Sequence, residues 1–325
     1  STYGRGLWIL RDVGLLSEGA TPNATVSDTK LFAPHPGVRS AREGRADVTF
    51  QVAKAGKVSL EFTDASGKTV RTMPVMAKAG LNRSRWNLHY DLATPVELRT
   101  VAPDNPHIWD EPRFKGKNTR PIAHWGIQQP QQDGPIAAPG RYAVRLVVDR
   151  QATPTQPLVI LKDSGIPTSE DDLVASSEAQ VRVRDRLTET ANVVNRIEVL
   201  RKNIEDQTKE NTGKPGVLKA LADIDKKMLD VELILLSRHD LHSDDKWFVE
   251  TYKTYLSLLW LAGEVGTGAG DVAGGADYRP TETSMRTLGE LEKDLDRAKA
   301  AFKVLIEKEL PAFNAAMAAL LKPIA

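Results

Sequence analysis

Lys162-Asp163-Ser164-Gly165-Ile166-Pro167-Thr168 separates two ways of burying apolar side chains. Directly before it, Arg141–Val148 sets Tyr142, Val144, Leu146 and Val148 at every second position, the period of a half-buried strand. Directly after it, Ser169 followed by Glu170, Asp171 and Asp172 opens a helix, with a capping hydroxyl and acids at the positive end of the dipole. Val183, Leu187, Val194, Ile197 and Ile204 then keep three-and-four spacing as far as Gly213. The seven residues between are turn chemistry, and we read them as a domain boundary. Charge changes sign at the same place. Residues 1–165 carry 22 Lys+Arg and 15 Asp+Glu, a balance of +7, whereas residues 166–325 carry 22 and 28, a balance of −6.

Working back from the seam, Ala46–Ala53, Lys57–Thr63, Thr69–Met73, Leu81–Tyr90 and Thr155–Leu161 add further strands. Asp64-Ala65-Ser66-Gly67 supplies a hairpin turn between two of them. Short strands at this spacing, over about 120 residues, predict an antiparallel β-sandwich. Asp91–Gly140 interrupts the set with many prolines, Trp109, Trp125 and the polar run Gln128-Gln129-Pro130-Gln131-Gln132. An irregular run of that length is either functional or a cover over a sheet edge.

Working forward, Pro215 suits a first helical turn, and Leu221, Ile224, Met228, Val231 and Leu235 form the stripe of the helix that follows. A third helix is expected over about Asp244–Glu264, with Phe248, Tyr252, Tyr255, Leu256, Leu259 and Trp260. Gly263–Asp277 reads as a flexible connection. A fourth helix begins near Thr281 or Thr283 and carries Met285, Leu288, Leu291, Leu295, Ala298, Phe302 and Leu305. Pro311 is expected to kink or break it before a short final segment, Ala312–Leu321. Short loops between antiparallel helices give an up-down four-helix bundle. The expected fold class is therefore α+β and multidomain. Residues 1–25 form a docking arm, 26–165 the β-sandwich with the 91–140 insertion, and 166–325 the antiparallel helical bundle.

The 325 residues are 41% hydrophobic and 27% charged, the composition of an ordinary globular protein. The absence of Cys excludes a disulfide scaffold, a Cys-ligated zinc or iron–sulfur site and a thiol nucleophile. A net charge of +1 argues against sequence-independent nucleic-acid binding, which needs a basic surplus to displace counterions. No run of about 18 apolar residues offers a membrane span. With neither an initiator Met nor a signal peptide, Ser1 reads as a processed or truncated start.

His239-Asp240-Leu241-His242-Ser243-Asp244-Asp245 is the densest group of possible metal ligands, with His239, His242 and Asp244 the candidates. Its spacing matches no established metal loop, and the acids serve equally well in capping a helix, so a solvated interhelical turn is the favoured reading. His35, His89, His107 and His124 stand without a nucleophile or acid at informative spacing. Gly266-Thr267-Gly268-Ala269-Gly270 lacks the preceding strand and following Lys-Ser/Thr of a phosphate loop. No Gly-x-Ser-x-Gly elbow occurs. The residues thus nominate no catalytic group and no cofactor.

Three stretches carry a resemblance. Thr2-Tyr3-Gly4-Arg5-Gly6-Leu7-Trp8-Ile9-Leu10-Arg11-Asp12 resembles the last propeller strand of sialidase-like, BNR-repeat (sortilin-type) bacterial secreted proteins. Leu31-Phe32-Ala33-Pro34, the strand from Gly80-Leu81-Asn82 to Trp86-Asn87-Leu88, and Pro139-Gly140-Arg141-Tyr142 resemble the immunoglobulin-like module behind that propeller. Asp185-Arg186-Leu187, Asn195-Arg196-Ile197 and Glu309-Leu310-Pro311-Ala312-Phe313-Asn314 resemble its C-terminal helical region. The resemblance implies this architecture and an exported, periplasmic or surface setting. It carries over no catalytic residue, because this sequence has no Ser-x-Asp-x-Gly-x-x-x-Trp box and only one propeller strand.

A strand without its blade leaves ladder groups to pair with another chain, so Leu7, Trp8 and Ile9 are candidate partner-binding residues, with folding back onto the sandwich as the alternative. Trp109 and Trp125 in the insertion join them, as do Arg113, Phe114 and Lys115 of a local basic patch that Lys117 and Arg120 extend. Such a patch suits an acidic protein face or anionic headgroups. The functional expectation is a non-catalytic scaffold subunit, extrinsic and periplasmic, clamping a larger assembly such as a photosynthetic or respiratory complex. The alternative is the C-terminal part of a secreted propeller glycosidase or carbohydrate-binding protein. A third, weaker idea is a small metal-dependent hydrolase using the His239–Asp245 turn.

Overall fold

The computed structural model describes residues 29–40, 44–122, 133–242, 250–266 and 278–325. The fold is mixed α+β, with two β-sheets and four principal helices among the described residues. The chain divides into two compact units, Ser1–Asp91 with Ile136–Val174, and Leu92–Pro135 with Ala175–Ala325. The segment read as an insertion in the β region, 91–140, thus groups for the most part with the helices.

In the first unit, β1 (Lys30–Leu31), β3 (Ala46–Val52) and β6 (Gly80–Trp86) form a three-stranded sheet in the order β1-β3-β6. The larger sheet runs β2 (Gly37–Arg39), β9 (Gln156–Lys162), β7 (Gly140–Val148), β4 (Gly56–Thr63) and β5 (Thr69–Ala77), with β8 (Gln151–Ala152) paired to β7. Alternation does the sorting. Val58, Leu60 and Phe62 of β4 and Tyr142, Val144 and Leu146 of β7 are buried on one face. Trp86, at the end of the small sheet, stacks on Phe62 of the large one with ring centroids 4.4 Å apart, and meets the edge of Tyr142 at 5.8 Å. Asp64 fixes the β4–β5 turn by accepting from the Ser66 and Lys68 amides at 2.9 and 3.1 Å.

Three strand expectations are corrected. The sheets are not wholly antiparallel, because β2 pairs parallel with β9. More than a hundred residues separate those strands, ample chain for the crossover that parallel pairing needs. A Cβ on Gly37 would lie 2.7 Å from Ile160 Cδ1 and 2.8 Å from Ala46 Cβ, so this pairing requires glycine. The Leu81–Tyr90 strand stops at Trp86. There the Trp86 indole donates to the His89 carbonyl at 2.8 Å, Asn87 Oδ1 accepts from the His89 amide, and buried Leu88 takes φ 64°. β5 runs past Met73 to Ala77, since Pro74 is tolerated on an edge strand.

In the second unit, α1 (Glu170–Glu210), α2 (Pro215–Leu235), α3 (Thr254–Val265) and α4 (Glu282–Val304) pack around one apolar core. Val183, Leu187, Val194, Ile197 and Ile204 of α1 lie in it with Leu221, Ile224, Met228, Val231 and Leu235 of α2. Ser169 caps α1, accepting from the Asp172 amide at 3.1 Å while its hydroxyl donates to the Asp172 carboxylate at 2.7 Å. Thr281 caps α4 by accepting from the Ser284 amide at 3.0 Å. Among the described residues the third helix runs Thr254–Val265; Asp244 and Phe248 lie outside them. Pro311 does not break the last helix. A π turn over Leu305–Glu309, with the Leu310 amide bonded to the Leu305 carbonyl, shifts the ladder just ahead of it, and α5 (Leu310–Met317) continues.

Candidate functional site

The mid-chain segment meets the helices through a line of polar side chains on α1. The Thr94 amide donates to Thr188 Oγ1 at 3.2 Å, and the Glu97 amide to Asn195 Oδ1 at 2.8 Å. Asn195 Nδ2 donates back to the Pro95 carbonyl at 2.9 Å. The Arg99 amide donates to Glu198 Oε2, which also accepts from the Thr100 amide at 2.9 Å; Thr100 Oγ1 donates to Glu198 Oε1 at 2.7 Å. The Val101 amide donates to Glu205 Oε1 at 2.6 Å. Thr188, Asn195, Glu198 and Glu205 share one face of α1, and from 188 to 205 the helix rises about 25 Å. Seven steps of extended chain, from residue 94 to 101, span about 23 Å. The two rises match in length, so successive amides of the segment latch onto successive acceptors along the helix. Its own alternation buries Val96, Leu98 and Thr100.

A charged knot underlies the latch. Arg201 on α1 donates from Nη1 to Glu232 Oε2 at 2.8 Å and from Nε to Asp225 Oδ1 at 3.0 Å, both on α2, and its Nη1 lies 3.4 Å from Glu198 Oε1. Glu198 and Glu232 are fully buried. Burial, with Glu198 alongside, pushes the Glu232 carboxyl well above its ordinary range, against the pull of Arg201. Burial works to lower Arg201, but Glu232, Asp225 and Glu198 hold it above its usual range. A second buried guanidinium, Arg120, is pushed down to about 10 by burial, opposed by Glu198 and Glu232. It donates to the Thr100 carbonyl at 3.3 Å, lies 5.8 Å from the Trp109 ring centroid, and exchanges two backbone hydrogen bonds with Leu98. Both buried carboxylates act as acceptors, for amides, a hydroxyl and guanidinium between them.

Beyond the latch the segment closes on its own small core of Ala102, Ile108 and Phe114, with Trp109 packed against it at 6.5 Å from the Phe114 ring. The turn Phe114–Lys117 places Gly116 at φ 77°, which glycine adopts without strain. Phe114, expected at a partner surface, is a core residue here, 4% exposed. Arg113 stacks over it at 4.6 Å and pairs with Glu111 at 2.7 Å. Arg113, Lys115 and Lys117 are exposed and Trp109 is half-buried. The tip is tied down at its base, where Asp104 accepts from Arg238 Nε and Nη2 at 2.6 and 3.1 Å. Leu7, Trp8, Ile9 and Trp125 lie outside the described residues.

His239 and His242 come together, with ring centroids 5.7 Å apart, and His242 Nε2 lies 3.8 Å from Asp104 Oδ2. Asp240 is instead turned to its own loop, accepting from the Ser237 amide at 2.7 Å, and burial pushes it up to about 6. Among the described residues no three His, Cys, Asp or Glu side chains converge as a metal site. Arg238 occupies the Asp104 carboxylate that faces the histidines.

The latch was missed in the sequence, although two signals for it exist. Val96–Arg99 alternates apolar and polar residues, and the acceptors on α1 recur on one face that reads as solvated.

Among the described residues no helix is long and apolar enough to cross a membrane. Neither a family model nor a curated protein matches the chain. Among solved structures, the chain is similar to dimeric latent PorU from Porphyromonas gingivalis, at 16% identity and a TM-score of 0.23, over 42% of this chain and 9% of that one.

Proposed function

We propose that the protein is a non-catalytic interaction subunit whose mid-chain segment is a pinned arm presenting a basic tip to an acidic protein partner. One observation carries the reading. Leu92–Arg120 is held by a line of acceptors on α1, buried Glu198 and half-buried Glu205 among them, and it carries Arg113, Lys115 and Lys117 outward on a small core of its own. A prepositioned tip loses little conformational freedom on docking, which favours recognition. Oppositely charged faces then speed and orient the encounter. We further read the β unit as an immunoglobulin-like sandwich and the helices as an up-down bundle. Together with the sialidase-like, BNR-repeat resemblance, that reading favours an exported, membrane-peripheral component that stabilises a larger assembly.

The test is a triple charge reversal, Arg113→Glu, Lys115→Glu and Lys117→Glu, in the native host. The reading expects the wild-type protein to co-purify in stoichiometric amount with other subunits, and the variant to be lost from them with its thermal unfolding unchanged. Co-purification that survives the reversal, or a wild-type protein that travels alone, overturns it.

A further inference from the structure

A second site lies between α3 and the start of α4, well separated in sequence from the arm. Its cavity, about 510 Å³, is of the size that holds a small ligand. Tyr252, Trp260 and Leu261 line its apolar part. The two aromatic rings stack 24° from parallel with centroids 6.5 Å apart, and both residues are half-buried. The remainder is rich in hydroxyls. Ser257 comes from α3, and Thr283 and Thr287 from successive turns of α4, with Glu264 the one charged group of the lining among the described residues. Thr281 and Ser284 also border it, but their hydroxyls bond to each other at 2.8 Å within the helix cap.

This lining selects a chemical class. It contains no Lys or Arg among the described residues, so phosphate, sulfate and carboxylate ligands find no countercharge. An aromatic platform presents a negative π face to weakly positive C–H groups. Hydroxyls beside it donate and accept at once, and a carboxylate accepts twice over. A pyranose ring offers the complement, with an apolar C–H face on one side and hydroxyls around its edge. We propose that this cavity binds a neutral saccharide, its C–H face on the Tyr252–Trp260 pair and its hydroxyls meeting Glu264, Ser257, Thr283 and Thr287. The site stands apart from the basic arm, so neither reading depends on the other.

The experiment is isothermal titration calorimetry of the full chain with maltohexaose, cellohexaose, laminarihexaose and chitohexaose, and with sialyllactose as an anionic comparison. At least one neutral hexasaccharide is expected to bind saturably, with Kd of about 1 mM or tighter. Thr283→Ala with Thr287→Ala, and separately Glu264→Gln, replace exposed helical residues by good helix formers and leave folding intact. Each is expected to weaken binding about tenfold, the loss of one or two ligand hydrogen bonds. Trp260→Phe keeps a smaller platform and should bind more weakly than wild type. Absence of saturable binding by all four neutral sugars, binding of sialyllactose alone, or affinities that these variants leave unchanged would overturn the proposal.

Discussion

Replacing Glu198 by Ala removes the acceptor at the centre of the latch. Its two oxygens take hydrogen bonds from the Arg99 amide, the Thr100 amide and the Thr100 hydroxyl, and one faces Arg201 at 3.4 Å. A hydrogen bond to a charged acceptor contributes about 1.5–3 kcal/mol. These bonds share one carboxylate and are not additive. Breaking a buried ion pair from one side costs about 3–5 kcal/mol, so we expect about 4 kcal/mol for Glu198→Ala. A loss of that size is a large fraction of a typical domain's stability of about 5–15 kcal/mol. Glu198→Gln keeps one acceptor oxygen for the amides but turns an NH2 toward Arg201 or Thr100, and should cost about half as much. Two assays read this. Urea unfolding gives the stability change, and amide hydrogen exchange reports on residues 97–101. The amides of Arg99, Thr100 and Val101 should exchange at least about a hundredfold faster in Glu198→Ala, while those of β4 and β7 stay protected. A stability change under about 1 kcal/mol with unaltered exchange at 99–101 would refute the latch.

Further expectations follow from the same geometry. Burial holds Asp240 at about 6 against 3.8 for a free carboxyl, so the folded state binds its proton more tightly than the unfolded one. The corresponding stability is fully present below about pH 4 and is lost as pH rises through about 6, at most about 3 kcal/mol; Asp240→Asn should flatten that part of a urea-midpoint profile against pH. Glu232, also raised, acts in the same direction at higher pH. Glu232→Gln, which keeps an acceptor for Arg201 and sheds a buried charge, should raise the pH 8 unfolding midpoint relative to wild type. Thr281→Ala removes the α4 cap and should cost about 1 kcal/mol by denaturant titration.

The β-strands and helical stripes were legible because a buried face imposes its period on the sequence. Val58-Leu60-Phe62 and Leu221-Ile224-Met228 need no tertiary information to be assigned. Strand ends were less legible. Nothing local tells that Asn87 and Leu88 turn the chain, since a leucine at positive φ is held there by its burial and by the Trp86–His89 bond. Pro311 misleads for a related reason, in that its helix-breaking tendency is absorbed by the π turn over Leu305–Glu309 just before it. The allegiance of the mid-chain segment was hidden most deeply. Glu198, Arg201 and Glu232 look like solvated charges one by one, and only their convergence in space, with Asp225 at its margin, makes them an interior. Phe114 shows the same limit at the tip, where an aromatic among cations reads as a docking residue and proves to be the core that holds the cations in place.

The central claim is that this molecule acts by attachment through a prepositioned basic arm. A photocrosslinking residue introduced at Lys115 in the native host tests it most directly, with the adducts identified by mass spectrometry. The account predicts one dominant adduct, to an acidic surface of a co-purifying subunit, that disappears in Glu198→Ala when the arm is released. A diffuse scatter of adducts, or the same adduct from the unlatched variant, would contradict it.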